Sequence, residues 1–179
     1  MAIATIPKNP SDAQKLEWLW ARAQIEGVML RFGRALDTGD WAAYRSCFAD
    51  RFRVNFTRLT GQPEVWVDAD LWTRFAELIL SPVRRHHQYS NLTITLDGDR
   101  ADALIYMVAR HWKAVDSGSA EYTQIGWYEN GFERLAGEWK ITRLLHTFSW
   151  IDGNGALFDF SDPALVENMA KVFAPENRV

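Results

Sequence analysis

Residues 101–112 read ADALIYMVARHW. On an extended chain Ala103, Ile105, Met107, Ala109 and His111 share one face, because successive side chains alternate. Three more runs have the same strand-like character: HQYSNLTITL (87–96), EYTQIGWYENGFERL (121–135) and WKITRLLHTFSWI (139–151). Between them stand Asp97-Gly98-Asp99, Asp116-Ser117-Gly118-Ser119 and Ala136-Gly137, residues that favour tight hairpin turns. Four long strands in an antiparallel meander are the expected second half of the fold.

Upstream the period changes to that of helices. Ser11 or Asp12 can cap a helix running to about Leu36, with Leu19, Ile25, Met29, Phe32 and Leu36 as its apolar stripe and Gly39 as its stop. Asp40 can cap a short helix, WAAYRSCFA (41–49), followed by a strand, RFRVNF (51–56), and a loop, TRLTGQPEVWV (57–67). DADLWTRFAELILS (68–81) is a third helix ending before Pro82, and DPALVENMAKVF (162–173) a final one. The expectation is an α+β fold: three N-terminal helices on the concave face of a curved, mixed, mostly antiparallel sheet. One domain is expected over 11–174, between an arm at 1–10 and a fraying tail at 175–179.

Composition narrows the function. The 179 residues carry a net charge of −3, which disfavours a nucleic-acid binder driven by counterion release. A single cysteine, Cys47, excludes an internal disulfide and disfavours a cysteine zinc site. No run approaches the roughly 20 apolar residues of a membrane span, and no secretory signal pattern opens the chain, so a cytoplasmic location is expected. The aromatic content is 13%, with nine Trp, and aromatic side chains line apolar pockets as well as cores.

Three titratable features stand out: Asp37, the pair His86/His87, and His111. Asp37 falls in the last turn of the long helix, about a quarter turn from the apolar stripe, with Gly33 one turn earlier leaving room beside it. Adjacent strand residues face opposite ways, so His86 and His87 enter one pocket together only across a bulge. His87 shares a face with Tyr89, Asn91 and Thr93; His86 shares one with Leu92, Ile94 and Leu96, which plain alternation puts in the core. The hairpin at 97–99 leaves two registers open. A three-residue loop sets His87 opposite His111; a two- or four-residue loop sets His86 there.

The runs IEGVMLRFGRALDTGDWAAYRSCFADRFRVNF (25–56), HHQYSNLTITLDGDRADALIYMVARHW (86–112) and GWYENGFERLAGEWKITRLLH (126–146) resemble a SnoaL-like domain of the nuclear transport factor 2 superfamily. That resemblance implies a cone-shaped α+β barrel. Its scytalone dehydratase and hexachlorocyclohexane dehydrochlorinase branches use an Asp–His dyad, which carries over to Asp37 and His87, with Asp37 to Trp41 as the turn ending the first helix. A second histidine in scytalone dehydratase matches His111. The resemblance thus selects His87 over His86 and leaves Arg84 and Arg85 facing solvent. The implied chemistry is general acid–base catalysis without cofactor or metal, with His111 able to protonate a leaving hydroxyl. The tyrosines that polarise a substrate carbonyl in scytalone dehydratase match Leu36 and Phe56, so that device is absent. Candidate substrate contacts are Tyr89, Asn91, Phe56, Met107, Asn55 and Trp41. Arg143, grouped with Ile141 and Leu145, is either an inward cation or part of a surface salt bridge.

The leading expectation is therefore a lyase, dehydratase or isomerase for an apolar cyclic or aromatic small molecule, assembled as a homodimer or homotrimer. The alternative is a non-catalytic binding or assembly module, such as the small subunit of a ring-hydroxylating dioxygenase. Two histidines and a carboxylate as an iron-binding facial triad are a third possibility, weakened by the lack of a His-x-Asp/Glu pair.

Overall fold

The computed structural model describes residues 9–179; the expected N-terminal arm lies, but for its last two residues, outside the described residues. Helix α1 (Asp12–Thr38) starts on a reciprocal cap between Ser11 and Gln14 and ends at Gly39, whose positive φ of 73° lets its N–H reach Ala35 O. Ala21, Ile25, Val28, Met29, Phe32 and Leu36 form its buried stripe. Leu19, expected in that stripe, is exposed. It lies six residues from Ile25, about a third of a turn off that residue's line, whereas Ala21, four residues away, stays close to it.

Helix α2 (Trp41–Ser46), capped by Asp40, leads into strand β1 (Phe48–Asn55). The expected loop at 57–67 instead holds a one-turn helix, α3 (Thr57–Thr60), and the start of a strand, β2 (Val65–Asp68). Val65 and Val67 alternate inward with Trp66 and Asp68 outward, a period-two pattern too short to stand out beside Gly61 and Pro63. Helix α4 (Ala69–Leu80) follows, then β3 (Arg84–Asp97), β4 (Arg100–Val115), β5 (Gly118–Leu135) and β6 (Glu138–Gly153), a one-turn 3-10 helix at Gly155–Leu157, and α5 (Pro163–Val172). The sheet order is β2-β1-β6-β5-β4-β3, antiparallel throughout except β1 beside β6. It remains an open curved sheet rather than a closed barrel, with the helices on one face. The residues expected to fray tie down one edge: Arg178 bridges Val65, and the Val179 N–H donates to Glu64 O.

Two bulges decide which side chains look inward. In β3, Ser90 pairs with Tyr106 but Thr93 with Leu104, so two residues of β3 oppose one of β4. Asn91 absorbs the extra residue in a left-handed conformation, φ 52°. Leu92, Ile94 and Leu96 on one side of the bulge and Tyr89, His87 and Arg85 on the other therefore share the less exposed face. In β6, Phe132 pairs with Ile141 and Gly131 with Arg143, which inserts Thr142 and turns Leu144 and His146 inward beside Ile141. Neither expected hairpin register holds across the strand: the two-residue turn starts one register, the bulge shifts it, and His111 finishes opposite Arg85 while His87 pairs with Ala109.

The left-handed backbone at Asn91 yields a stability test. Asn91→Val places a β-branched residue where L side chains pay about 1–2 kcal/mol, and a lower melting temperature is expected. Asn91→Gly keeps the conformation available and should melt close to wild type.

Candidate active site

Asp37 ends α1, and its carboxylate meets the start of β3. Oδ1 is 2.7 Å from His87 Nδ1, while the backbone N–H of His87 donates to both carboxylate oxygens at 3.0 and 3.1 Å. An ionised carboxylate only accepts, so Nδ1 carries the proton and Nε2 is the free ring nitrogen. The His87 side chain is almost fully buried, whereas His86, on the other face, is largely exposed and its Nδ1 lies 3.5 Å from Asp37 Oδ2.

Arg85, expected in solvent, is folded in against this corner. It donates to the carbonyls of Leu36, Leu80 (2.7 Å) and Val83 (2.9 Å), and its guanidinium lies 5.3 Å from the centre of the Trp41 ring. Leu80 O also accepts from the Val83 N–H at 3.1 Å; the carbonyl ends of α1 and α4 carry partial negative charge, which the half-buried cation offsets. Gly33 permits the rest of the packing: a Cβ there would collide with the ring of Tyr89.

His87 forms part of the wall of a cavity of about 540 Å³. His111 lies beside it, the two rings 5.8 Å apart and nearly perpendicular. His111 Nδ1 is 3.3 Å from Tyr122 O, so it donates to that carbonyl and leaves Nε2 unprotonated. The fourth histidine, His146, also lines the cavity and is only 2% exposed. Its Nε2 donates to Gln124 Oε1 at 2.8 Å, and Gln124 Nε2 donates to Tyr122 OH at 3.2 Å. Its ring stacks on Phe56, 4.7 Å between centres and 11° from parallel. The other walls are mainly aromatic and aliphatic, Phe32, Trp72, Tyr128, Phe158 and Phe173 among them.

Burial lowers the pKa of His111 to about 4, with a further push from the nearby His87. The same causes, in the same order, bring His146 to about 4. Both rings are therefore neutral at physiological pH. Neutral His111 with Nδ1–H engaged offers a lone pair at Nε2; it accepts a hydrogen bond and has no proton there to give. The donor role expected for it does not fit this arrangement.

Of the nine residues singled out from sequence, His87, His111 and Phe56 line the cavity, and Asp37 stands behind His87. The others do not line it. Tyr89 packs between Phe32 and Tyr128, Met107 is buried in the core, and Trp41 lies under Arg85. Asn91 is the exposed bulge residue, and Asn55 donates to Glu64 Oε2 at 3.0 Å. Arg143 makes the surface pair, binding both oxygens of Glu64 at 2.9 and 3.1 Å. His146 escaped the sequence reading because simple alternation from Ile141 carries Arg143 and Leu145 inward and His146 outward. Among the described residues, no three His, Cys, Asp or Glu side chains converge as metal ligands would. No helix among them is long and apolar enough to cross a membrane.

The SnoaL-like domain family matches residues 17–144. Among solved structures, a protein from Kribbella flavida superposes with a TM-score of 0.72 at 23% identity, covering 76% of this chain and 95% of that one. A type 2 hexachlorocyclohexane dehydrochlorinase gives 0.67 at 18% identity, over 83% and 98% of the two chains. A candidate scytalone dehydratase from Novosphingobium aromaticivorans gives 0.64 at 17%, over 76% and 89%. At these identities the likeness establishes the fold alone. No curated protein matches the chain in sequence.

The buried neutral histidines make stability depend on pH. His111 and His146 fall from 6.5 to about 4 in the folded state, so between those values the unfolded chain binds more protons. Stability is complete above the unfolded value and falls as pH drops toward 4, by roughly 3 kcal/mol per histidine. Urea midpoints should therefore fall from about pH 7 to about pH 4.5, and His146→Phe should flatten the slope.

Proposed function

The chain belongs to the SnoaL-like domain family, and from that premise we propose that it is a cofactor-free lyase or isomerase acting on an apolar cyclic or aromatic molecule. The carrying observation is the 2.7 Å contact between His87 Nδ1 and Asp37 at the wall of a mainly apolar cavity of about 540 Å³. Asp37 holds the ring so that Nε2 is the base. His87 Nε2 takes a proton from a carbon next to an activating group, and the C–H electron pair moves into the substrate. In an elimination, that pair forms the new double bond as the leaving group departs from the adjacent carbon. The imidazolium then gives the proton to the departing hydroxyl on the same face, releasing water and restoring neutral His87. In an isomerisation, the proton returns to a different carbon.

His111 takes no proton in either sequence. Its bare Nε2, one ring away, accepts a hydrogen bond from a substrate hydroxyl and orients it toward His87. The names of similar structures, a dehydrochlorinase and a candidate dehydratase, favour elimination over isomerisation.

The test is turnover of a panel of β-hydroxy cyclic ketones, with loss of water followed by mass. Wild-type protein is expected to dehydrate at least one member, and His87→Ala and Asp37→Asn each to lose about 10²-fold or more in kcat. Undiminished turnover in both variants would sink the proposal. His111→Phe is expected to raise KM more than it lowers kcat, since its role is binding.

A further inference from the structure

We propose that the outer face of α1 is an interface between two copies of this chain, packed antiparallel across a two-fold axis. The buried stripe of α1 faces the sheet. Half a turn away, Leu16, Trp20, Ala23, Gly27 and Leu30 recur at spacings of four, three, four and three residues, a seam about 21 Å long. Leu16, Trp20 and Leu30 on this seam, and Leu19 beside it, are 69%, 63%, 57% and 56% exposed. Together they leave on the order of 500 Å² of large apolar side chain in water. That is the upper end of what a monomer carries, and over half of the ~800 Å² per partner of a stable interface.

The seam is shaped for a close neighbour. Gly27 lies in the interior of a 27-residue helix, where glycine weakens the helix. No packing within the protomer calls for it: among the described residues, a Cβ at this position would meet no atom within 4 Å. With Ala23 one turn before it, Gly27 leaves a shallow notch between the projecting side chains of Trp20 and Leu30. Small residues at a contact let two helix axes approach closely, and a bulky side chain from a second helix fills such a notch.

Shape and charge set the direction of the second helix. A parallel pair sets Trp20 against Trp20 and Gly27 against Gly27, a clash beside a gap. An antiparallel pair centred between Ala23 and Gln24 sets each Trp20 over Gly27 of the second copy, with Leu16 beside Leu30. Across such a two-fold axis each flank of the seam meets its own counterpart. Glu17 and Arg31 both lie on the flank of Trp20, both are exposed, and neither enters an ion pair among the described residues. The same registration brings Glu17 of each copy beside Arg31 of the other. A surface that complements itself in this way closes on two copies, so the assembly is a dimer and not a trimer.

Sedimentation equilibrium of the full chain at micromolar concentration is expected to give twice the mass of one chain. Gly27→Leu fills the notch with a side chain that meets open space in the protomer and favours helix. Its melting temperature in dilute solution should equal or exceed that of wild type, while the dissociation constant of the dimer rises about tenfold or more. Trp20→Ala should weaken the dimer to a similar degree. Glu17→Arg and Arg31→Glu should each weaken it, and the double variant, which restores both pairs with their signs exchanged, should return to within about threefold of wild type. A wild-type monomer or trimer, a dimer indifferent to Gly27→Leu and Trp20→Ala, or no recovery in the double variant would each overturn the pairing. So would a dimer lost in Trp127→Glu but kept in Gly27→Leu, which places the interface on the outer face of the sheet. A monomer that sediments with phosphatidylcholine vesicles would overturn it too, by assigning the seam to a lipid surface.

Discussion

One inserted residue in β3 determines which histidine the cavity receives. Side chains alternate with a period of two, so an extra residue reverses the facing of everything beyond it. With Asn91 placed in the bulge, His87 and Tyr89 join Ile94 on the inner face, and His86 turns out. The same device recurs in β6, where Thr142 turns His146 in and Arg143 out to Glu64. The two bulges sit on strands at different positions in the sheet and supply two of the cavity's three histidines. The third, His111, needs none, because β4 alternates without interruption from Ala101.

Around these histidines the protein arranges its charges unequally. Asp37 and Arg85 are the charged groups at the His87 corner, and each is bound by backbone as well as by side chains. Arg85 takes up carbonyls at the ends of two helices, which leaves the Asp37 carboxylate for His87 instead of drawing it into an ion pair with the guanidinium. The cavity's other two histidines are neutral polar groups: His111 on a backbone carbonyl, and His146 on Gln124. Desolvation enforces this, because an imidazolium surrounded by aromatic rings would give up its hydration with no anion in return.

The sequence carried the fold well and the site in part. Helix α1, its glycine stop and the four-strand meander are long, strongly periodic segments, and their pattern survives folding. Strand β2 did not stand out because four residues next to Gly61 and Pro63 look like loop. Leu19 was misplaced through a spacing of six where the stripe needs four. At the site, resemblance picked out Asp37, His87 and His111, while residue pattern alone would have chosen His86. His146 carried no local signal: the bulge at Thr142 is written in pairing with β5, not in the residues of β6. Arg85 was placed in solvent because a charged residue at a strand start usually belongs there, and the carbonyls that draw it in come from α1 and α4.

On the proposed reading, this distribution of protons limits the chemistry. A cavity with several charged histidines could pass protons in more than one direction. Here two of the three are neutral acceptors, so one ring, His87, would both take the proton and return it. Such a site suits reactions that conserve the proton within the substrate and its products, moving it from carbon to a departing hydroxyl or to another carbon. It is poorly suited to two simultaneous proton transfers, one at each end of a bond, since His111 and His146 have no proton to offer the cavity. Single-face elimination and double-bond migration meet the first condition and avoid the second. The neutral ring of His111, which narrows the reaction, would also sort the substrates, because its bare Nε2 is satisfied only by a ligand that brings a donor.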